Sequence, residues 1–76
     1  MAKKTKQKTG MAWLRGRMDY LGYNSLEEVA KEIGINRGNL YRYFTLENKP
    51  SVALLPVMSH TLEASYEEVL KALECI

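Results

Sequence analysis

Residues 26–44 read LEEVAKEIGINRGNLYRYF, and the fold turns on how this stretch is punctuated. Leu26, Val29, Ala30 and Ile33 recur at the three- and four-residue spacing of one helix face. Gly34 follows at once, and glycine tolerates the left-handed backbone that closes a helix. Asn36 can then cap a new helix, its side chain accepting an otherwise orphaned backbone N–H. In that second helix, spanning about 36–44, Leu40, Tyr43 and Phe44 share one side. Gly38 and Arg42 therefore point the opposite way, flanked by Tyr41 and Asn39, with Arg37 at the edge near the helix start. Two short helices around a tight glycine turn are expected, the second presenting arginine, glycine, asparagine and tyrosine outward.

Working upstream, Ser25 and Glu28 have the spacing of a capping box for the first of these helices. Before it, Met11, Leu14, Met18 and Leu21 form the buried face of a helix that Gly22 ends. Trp13, Arg17 and Tyr20 make a second stripe on that helix, read either as packing against the fifth helix or as a protein-binding patch. Downstream, residues 45–50 (TLENKP) are a polar loop. A fourth helix is expected from Ser51, with Val52, Leu55, Met58 and Leu62 inward and an irregular start or kink at Pro56, which lacks an amide hydrogen. Ser65 and Glu68 form a second capping box, opening a fifth helix with Tyr66, Val69, Leu70, Leu73 and Ile76 in a wide apolar stripe. The reading is all-α, a compact bundle of five short helices at residues 11–76, preceded at residues 1–10 by a flexible basic arm.

Composition bounds the function. Seventy-six residues make one small domain, and 46% hydrophobic content makes it globular. Every apolar run is interrupted well short of the roughly 18 residues of a membrane span, and the N-terminus lacks the apolar core of a signal peptide. With a single cysteine, Cys75, a cytoplasmic protein is expected. His60 has no metal-ligand company, and no nucleophile–base pair or phosphate-cradling glycine loop is present. Enzymatic activity, a metal, a cofactor and a small-molecule ligand therefore have no support. Charge is unevenly spread: residues 1–49 hold ten Lys/Arg against five Asp/Glu, while residues 50–76 hold one lysine against four glutamates. That asymmetry points to a polyanionic partner for the first part.

The stretch closely resembles the Cro/repressor (XRE-type) helix-turn-helix family, with Ala30 at the helix crossing, Gly34 in the turn, and Ile35 and Leu40 plugging the joint. The resemblance extends over about residues 12–74, since PSVALLPVMSHTLEASYEEVLKAL looks like that family's fourth and fifth helices. INRGNLYRYFTLENKPSVALL is most similar to small antitoxin-type proteins of addiction modules, and phage repressors are similar too. Two positions depart from the family: Leu26 stands where it often has glutamine, and Pro56 is unusual in its fourth helix. GNLYRYF also looks like the recognition helix of TetR-type repressors, whose large ligand-binding domain a 76-residue chain cannot contain.

The resemblance implies a lambda repressor-like DNA-binding domain, bacterial or phage-encoded, acting in the cytoplasm on the nucleoid. It implies double-stranded DNA as the partner and a transcriptional repressor on a palindromic operator. Arg37, Gly38, Asn39, Tyr41 and Arg42 are the candidate base-reading residues. Arginine can grip guanine O6 and N7, asparagine can grip adenine N6 and N7, and Gly38 removes bulk at the closest approach. Ser25, Asn36, Asn48, Lys49 and the arm lysines Lys3, Lys4, Lys6 and Lys8 are the candidate phosphate contacts. The plain alternative is a solvated face with ordinary charges. One short helix reads few base pairs, so a homodimer is expected, through Tyr66, Leu70 and Ile76 or through the Trp13, Arg17, Tyr20 stripe. The competing function is an antitoxin that neutralises a toxin protein and binds DNA to regulate itself. An RNA adaptor would want a stacking surface that the sequence does not offer.

Overall fold

The computed structural model describes residues 8–76. Five α-helices follow one another: α1 (Gly10–Leu21), α2 (Leu26–Ile33), α3 (Arg37–Phe44), α4 (Leu55–Leu62) and α5 (Tyr66–Ala72), with one turn of 3₁₀ helix, Val52–Leu54, leading into α4. Among the described residues there is no strand, and no helix is long and apolar enough to cross a membrane.

Local chemistry sets most of these ends. Gly22 and Gly34 close α1 and α2 at φ 86° and 94°, and their N–H groups donate to Met18 O and Ala30 O. Asn36 Oδ1 accepts from Asn39 N at 2.8 Å at the start of α3. The second capping box is complete: Ser65 Oγ accepts from Glu68 N, and Glu68 Oε1 accepts from Ser65 N. The first is only half formed. Ser25 Oγ accepts from Glu28 N at 3.3 Å, but Glu28 Oε1 takes the N–H of Asn24, one residue before the cap, at 2.8 Å.

The core gathers Trp13, Leu14 and Met18 of α1, Val29, Ala30 and Ile33 of α2, Leu40 and Phe44 of α3, Met58 and Leu62 of α4, and Ala64, Val69, Ala72 and Leu73 at and around α5. Met11, Leu26, Ile35, Tyr43 and Leu55 pack partly buried around it. Several expectations are corrected. Of the two readings of the Trp13 stripe, packing holds for Trp13: it is buried, but its ring stacks on Phe44 of α3, with centroids 6.0 Å apart. The reason is that α1 touches α3, α4 and α5 together, so its buried arc is wider than one stripe.

Arg17, next on that supposed stripe, donates to Leu62 O from Nε and Nη2 (3.1 and 2.9 Å) and to Glu63 O (2.8 Å). It satisfies the orphan carbonyls ending α4, where a cation also suits the helix dipole. Tyr20 alone stays open, 76% exposed, with the Arg17 guanidinium 5.0 Å from its ring centre.

The fourth helix begins at Leu55, not Ser51. Pro56 sits in its first turn, where no intrahelical amide is needed, so the irregularity lies ahead of the helix and not within it. Val52, expected inward, is 80% exposed. The 3₁₀ turn advances three residues per turn, which breaks the 3.6-residue phase that pointed Val52 to the core. Ile76, expected on the stripe of α5, lies beyond its end and is 70% exposed.

The boundary between arm and body also moves. Gly10 is the first residue of α1 and is buried. It sits at φ +60°, and a Cβ there would lie 2.8 Å from Phe44 O. Thr9 Oγ1 donates to Glu74 Oε2 at 2.9 Å, so the chain enters the body between the end of α3 and the residues after α5.

Candidate functional site

The most distinctive surface is the outward side of α3. Leu40 and Phe44 are fully enclosed and Tyr43 is half-buried, so packing against α1 and α2 fixes the rotation of the helix. Arg37, Gly38, Tyr41 and Arg42 are consequently exposed, Tyr41 at 47%. Asn39 is half-buried, with its backbone N–H taken by Asn36. Five residues expected to share a face are thus brought together on eight residues of helix, four open and one at the margin.

Among the described residues neither Arg37 nor Arg42 donates a side-chain hydrogen bond, and the one ion pair, Lys71 Nζ to Glu67 Oε2 at 3.2 Å, lies on α5. The first turn of α3 contains no acid, so the partial positive charge of the helix start adds to Arg37 instead of being neutralised. Beside it a cleft of about 350 Å³ is lined by Glu27, Ala30, Lys31, Ile35, Asn36 and Arg37. Lys31 was not among the expected site residues. It stands in the last turn of α2, one helical turn before the closing glycine, and that spacing was the signal available for placing it near Arg37.

Gly38 adds a second observation. A Cβ built there would meet Asn36 Oδ1 at 3.4 Å and Arg42 Nη1 at 3.7 Å, ordinary separations, and its φ is helical. Nothing among the described residues calls for a glycine at this second position of α3, where it is a poorer helix former than alanine.

The expected phosphate contacts are less uniform. Ser25 and Asn36 are exposed at the starts of α2 and α3, their oxygens occupied as caps. The serine hydroxyl proton and the asparagine amide hydrogens remain to donate. Asn48 is exposed in the turn after α3, where its N–H and that of Glu47 both donate to Arg42 O, at 3.3 and 3.0 Å. Lys49 is exposed, but its Nζ lies 3.5 Å from Leu73 O, at the end of α5. Glu47 places a carboxylate in the same turn, accepting from Thr45 Oγ1 at 3.0 Å. Lys8 is exposed, while Lys3, Lys4 and Lys6 fall outside the described residues.

Elsewhere, Tyr66 is 52% exposed, Ile76 70% and Leu70 half-buried. These three surround α5 together with exposed Glu63, Glu67 and Glu74. Tyr23, from the turn after α1, has its hydroxyl pKa pushed up by burial and then by the carboxylates of Glu32, Glu63 and Glu28, which keeps it neutral. Among the described residues no group of His, Cys, Asp and Glu is placed to hold a metal ion. Compared with family models, curated proteins and solved structures, the chain matches none.

Proposed function

We propose that the chain is a sequence-specific double-stranded DNA-binding regulator, acting in the cytoplasm as a repressor, with α2, the Gly34 turn and α3 as its helix-turn-helix. The observation that carries this reading is the outward side of α3: two arginines without a partner among the described residues, beside a glycine for which those residues give no reason. In the major groove a helix meets base edges at close range, and a missing side chain at position 38 lets the backbone approach. Arg37 and Arg42 suit guanine, Asn39 suits adenine, and Tyr41 supplies an apolar and hydrogen-bonding edge. Ser25 and Asn36 donate to phosphates on either side, joined by Lys31, Asn48, Lys49, Lys8 and the remaining lysines of the N-terminal segment. Occupying an operator excludes polymerase without any small ligand, and protein concentration sets the response.

The test is selection of duplexes from a random pool by the pure protein. A recurring motif with two-fold related halves about 34 Å apart, one DNA turn, is expected. A pool that stays random through successive rounds overturns the reading.

A second reading, an antitoxin that also regulates itself on DNA, is favoured by the apolar and acidic surroundings of α5. Tyr66, Leu70 and Ile76 beside Glu63, Glu67 and Glu74 suit a basic protein partner. A Tyr66→Ala chain that still selects its DNA motif but loses a toxin encoded by a neighbouring gene supports it.

A further inference from the structure

α2 and α5 each carry a glutamate followed four residues later by a lysine, the order in which helical ion pairs close most readily. On α5 the pair is made, Glu67 Oε2 to Lys71 Nζ at 3.2 Å. On α2 it is not: Glu27 and Lys31 are exposed and stand apart. Both border the cleft of about 350 Å³ between α2 and the start of α3, and Arg37 of α3 borders it too. No side chain of the described residues pairs with any of the three. The surface between them is apolar, with Ala30 buried and Ile35 half-buried. Asn36 completes the lining; its Oδ1 is spent on the N–H of Asn39, and its amide hydrogens are left.

We propose that this cleft binds a free dicarboxylic amino acid, its two carboxylates at Lys31 and Arg37 and its ammonium group at Glu27. The charges decide the class. A phosphate or other plain anion set against Lys31 and Arg37 meets Glu27 as well, and a plain cation set against Glu27 meets two of its own kind. A ligand carrying both signs answers all three groups. Two negative charges and one positive match the two cations and one carboxylate of the cleft. The planar guanidinium of Arg37 suits a carboxylate through two parallel hydrogen bonds, and the amide hydrogens of Asn36 can donate beside it. The short methylene chain that joins the carboxylates of such a molecule then lies against Ala30 and Ile35.

Size and exposure set the strength. At about 350 Å³ the cleft lies near the lower end of the range for small-ligand sites, about 300–1,000 Å³, which is enough for an amino acid. Its charged groups are open to water, where each ion pair is weak and screened by salt, so binding in the millimolar range is expected. The site does not depend on the reading of α3 as a DNA-binding surface, and its test contains no DNA.

The full chain, isotope-labelled and titrated with sodium L-glutamate at constant ionic strength, should show the amide signals of Ala30, Ile35 and Arg37 moving along saturating curves. Glutarate, which has both carboxylates but no ammonium group, should bind at least fivefold more weakly. Glu27→Gln should erase that preference, so that glutamate and glutarate bind alike, because the partner of the ammonium group is gone. Lys31→Gln should weaken both ligands while leaving glutamate ahead. Glu32→Gln, on the same helix but outside the cleft, should bind as the unaltered chain does. All three positions are exposed or half-buried, and the dispersion of the amide spectrum checks that each variant is folded. The proposal is overturned by shifts that do not saturate and match those caused by sodium chloride, by glutarate or inorganic phosphate binding as tightly as glutamate, or by a preference for glutamate that survives Glu27→Gln.

Discussion

The outward faces of α3 and α4 stand on helices of equal length, eight residues each, and both lie open to solvent. Their chemistry is opposite. On α3 two arginines find no partner among the described residues; on α4 no Asp, Glu, Lys or Arg stands between Leu55 and Leu62. Neither composition follows from folding, because the inward faces of both helices are already complete with Leu40 and Phe44 in one case and Met58 and Leu62 in the other. A charged face with a gap in it is complementary to a polyanion of defined shape. That contrast is the ground for proposing α3 as the surface that meets DNA.

The comparison of Gly10 with Gly38 makes the same point within one residue type. At Gly10 a methyl group would lie 2.8 Å from a carbonyl oxygen and the backbone is left-handed, so the fold requires glycine there. At Gly38 neither condition holds.

The harshest way to break the comparison is to remove the support that α1 gives α3. Trp13→Ala leaves a cavity under Phe44, and loss of a buried tryptophan costs about 3–5 kcal/mol. Domains of this kind have only about 5–15 kcal/mol to lose. Thermal or urea unfolding should show the variant largely or partly unfolded, with both faces lost together. Retained stability would mean that Trp13 is a surface residue after all.

A gentler change separates folding from recognition. Gly38→Ala should raise stability in urea by a few tenths to well under about 1 kcal/mol, since alanine favours the helix even in its first turn and the added methyl has room. The same variant should bind the selected duplex more weakly. A gain in stability with unchanged binding would leave Gly38 without a role at DNA. The smallest effect on stability belongs to deletion of residues 2–8. Unfolding should be unaffected because the deleted sequence, AKKTKQK, has no apolar side chain larger than Ala2, while the salt dependence of DNA binding should flatten by about 0.9 in slope for each phosphate that the shortened chain leaves unneutralised. An unchanged slope would assign those lysines to solvent.

How far the sequence could be read follows from where its signals are local. The α2–α3 pair was legible because Ser25, Gly34 and Asn36 each act within three or four residues, and the structure uses all three as caps. The inward set of α3 was legible because its period is undisturbed. Val52 was misplaced because a 3₁₀ turn shifts the phase ahead of Pro56. That Trp13 packs was one of its two readings, but its stacking on Phe44, 31 positions away, was not legible. Arg17 on Leu62 O and Lys49 on Leu73 O join residues 45 and 24 positions apart, and no local pattern carries such pairings. At the candidate site the exposed residues were readable from the wheel. What was not readable is that Glu47 folds a carboxylate into the loop beside Asn48 and Lys49.

The central claim is that the outward side of α3 reads bases, and Arg42 tests it most directly, because it projects from the middle of that face and away from the core. The measurement is the affinity of Arg42→Ala for the selected duplex and for a scrambled duplex at the same salt concentration. The account predicts a loss of about 1–3 kcal/mol on the selected duplex, relaxed preference at one base pair, and little change on the scrambled one. An equal loss on both duplexes contradicts it, since Arg42 would then meet only the phosphate backbone.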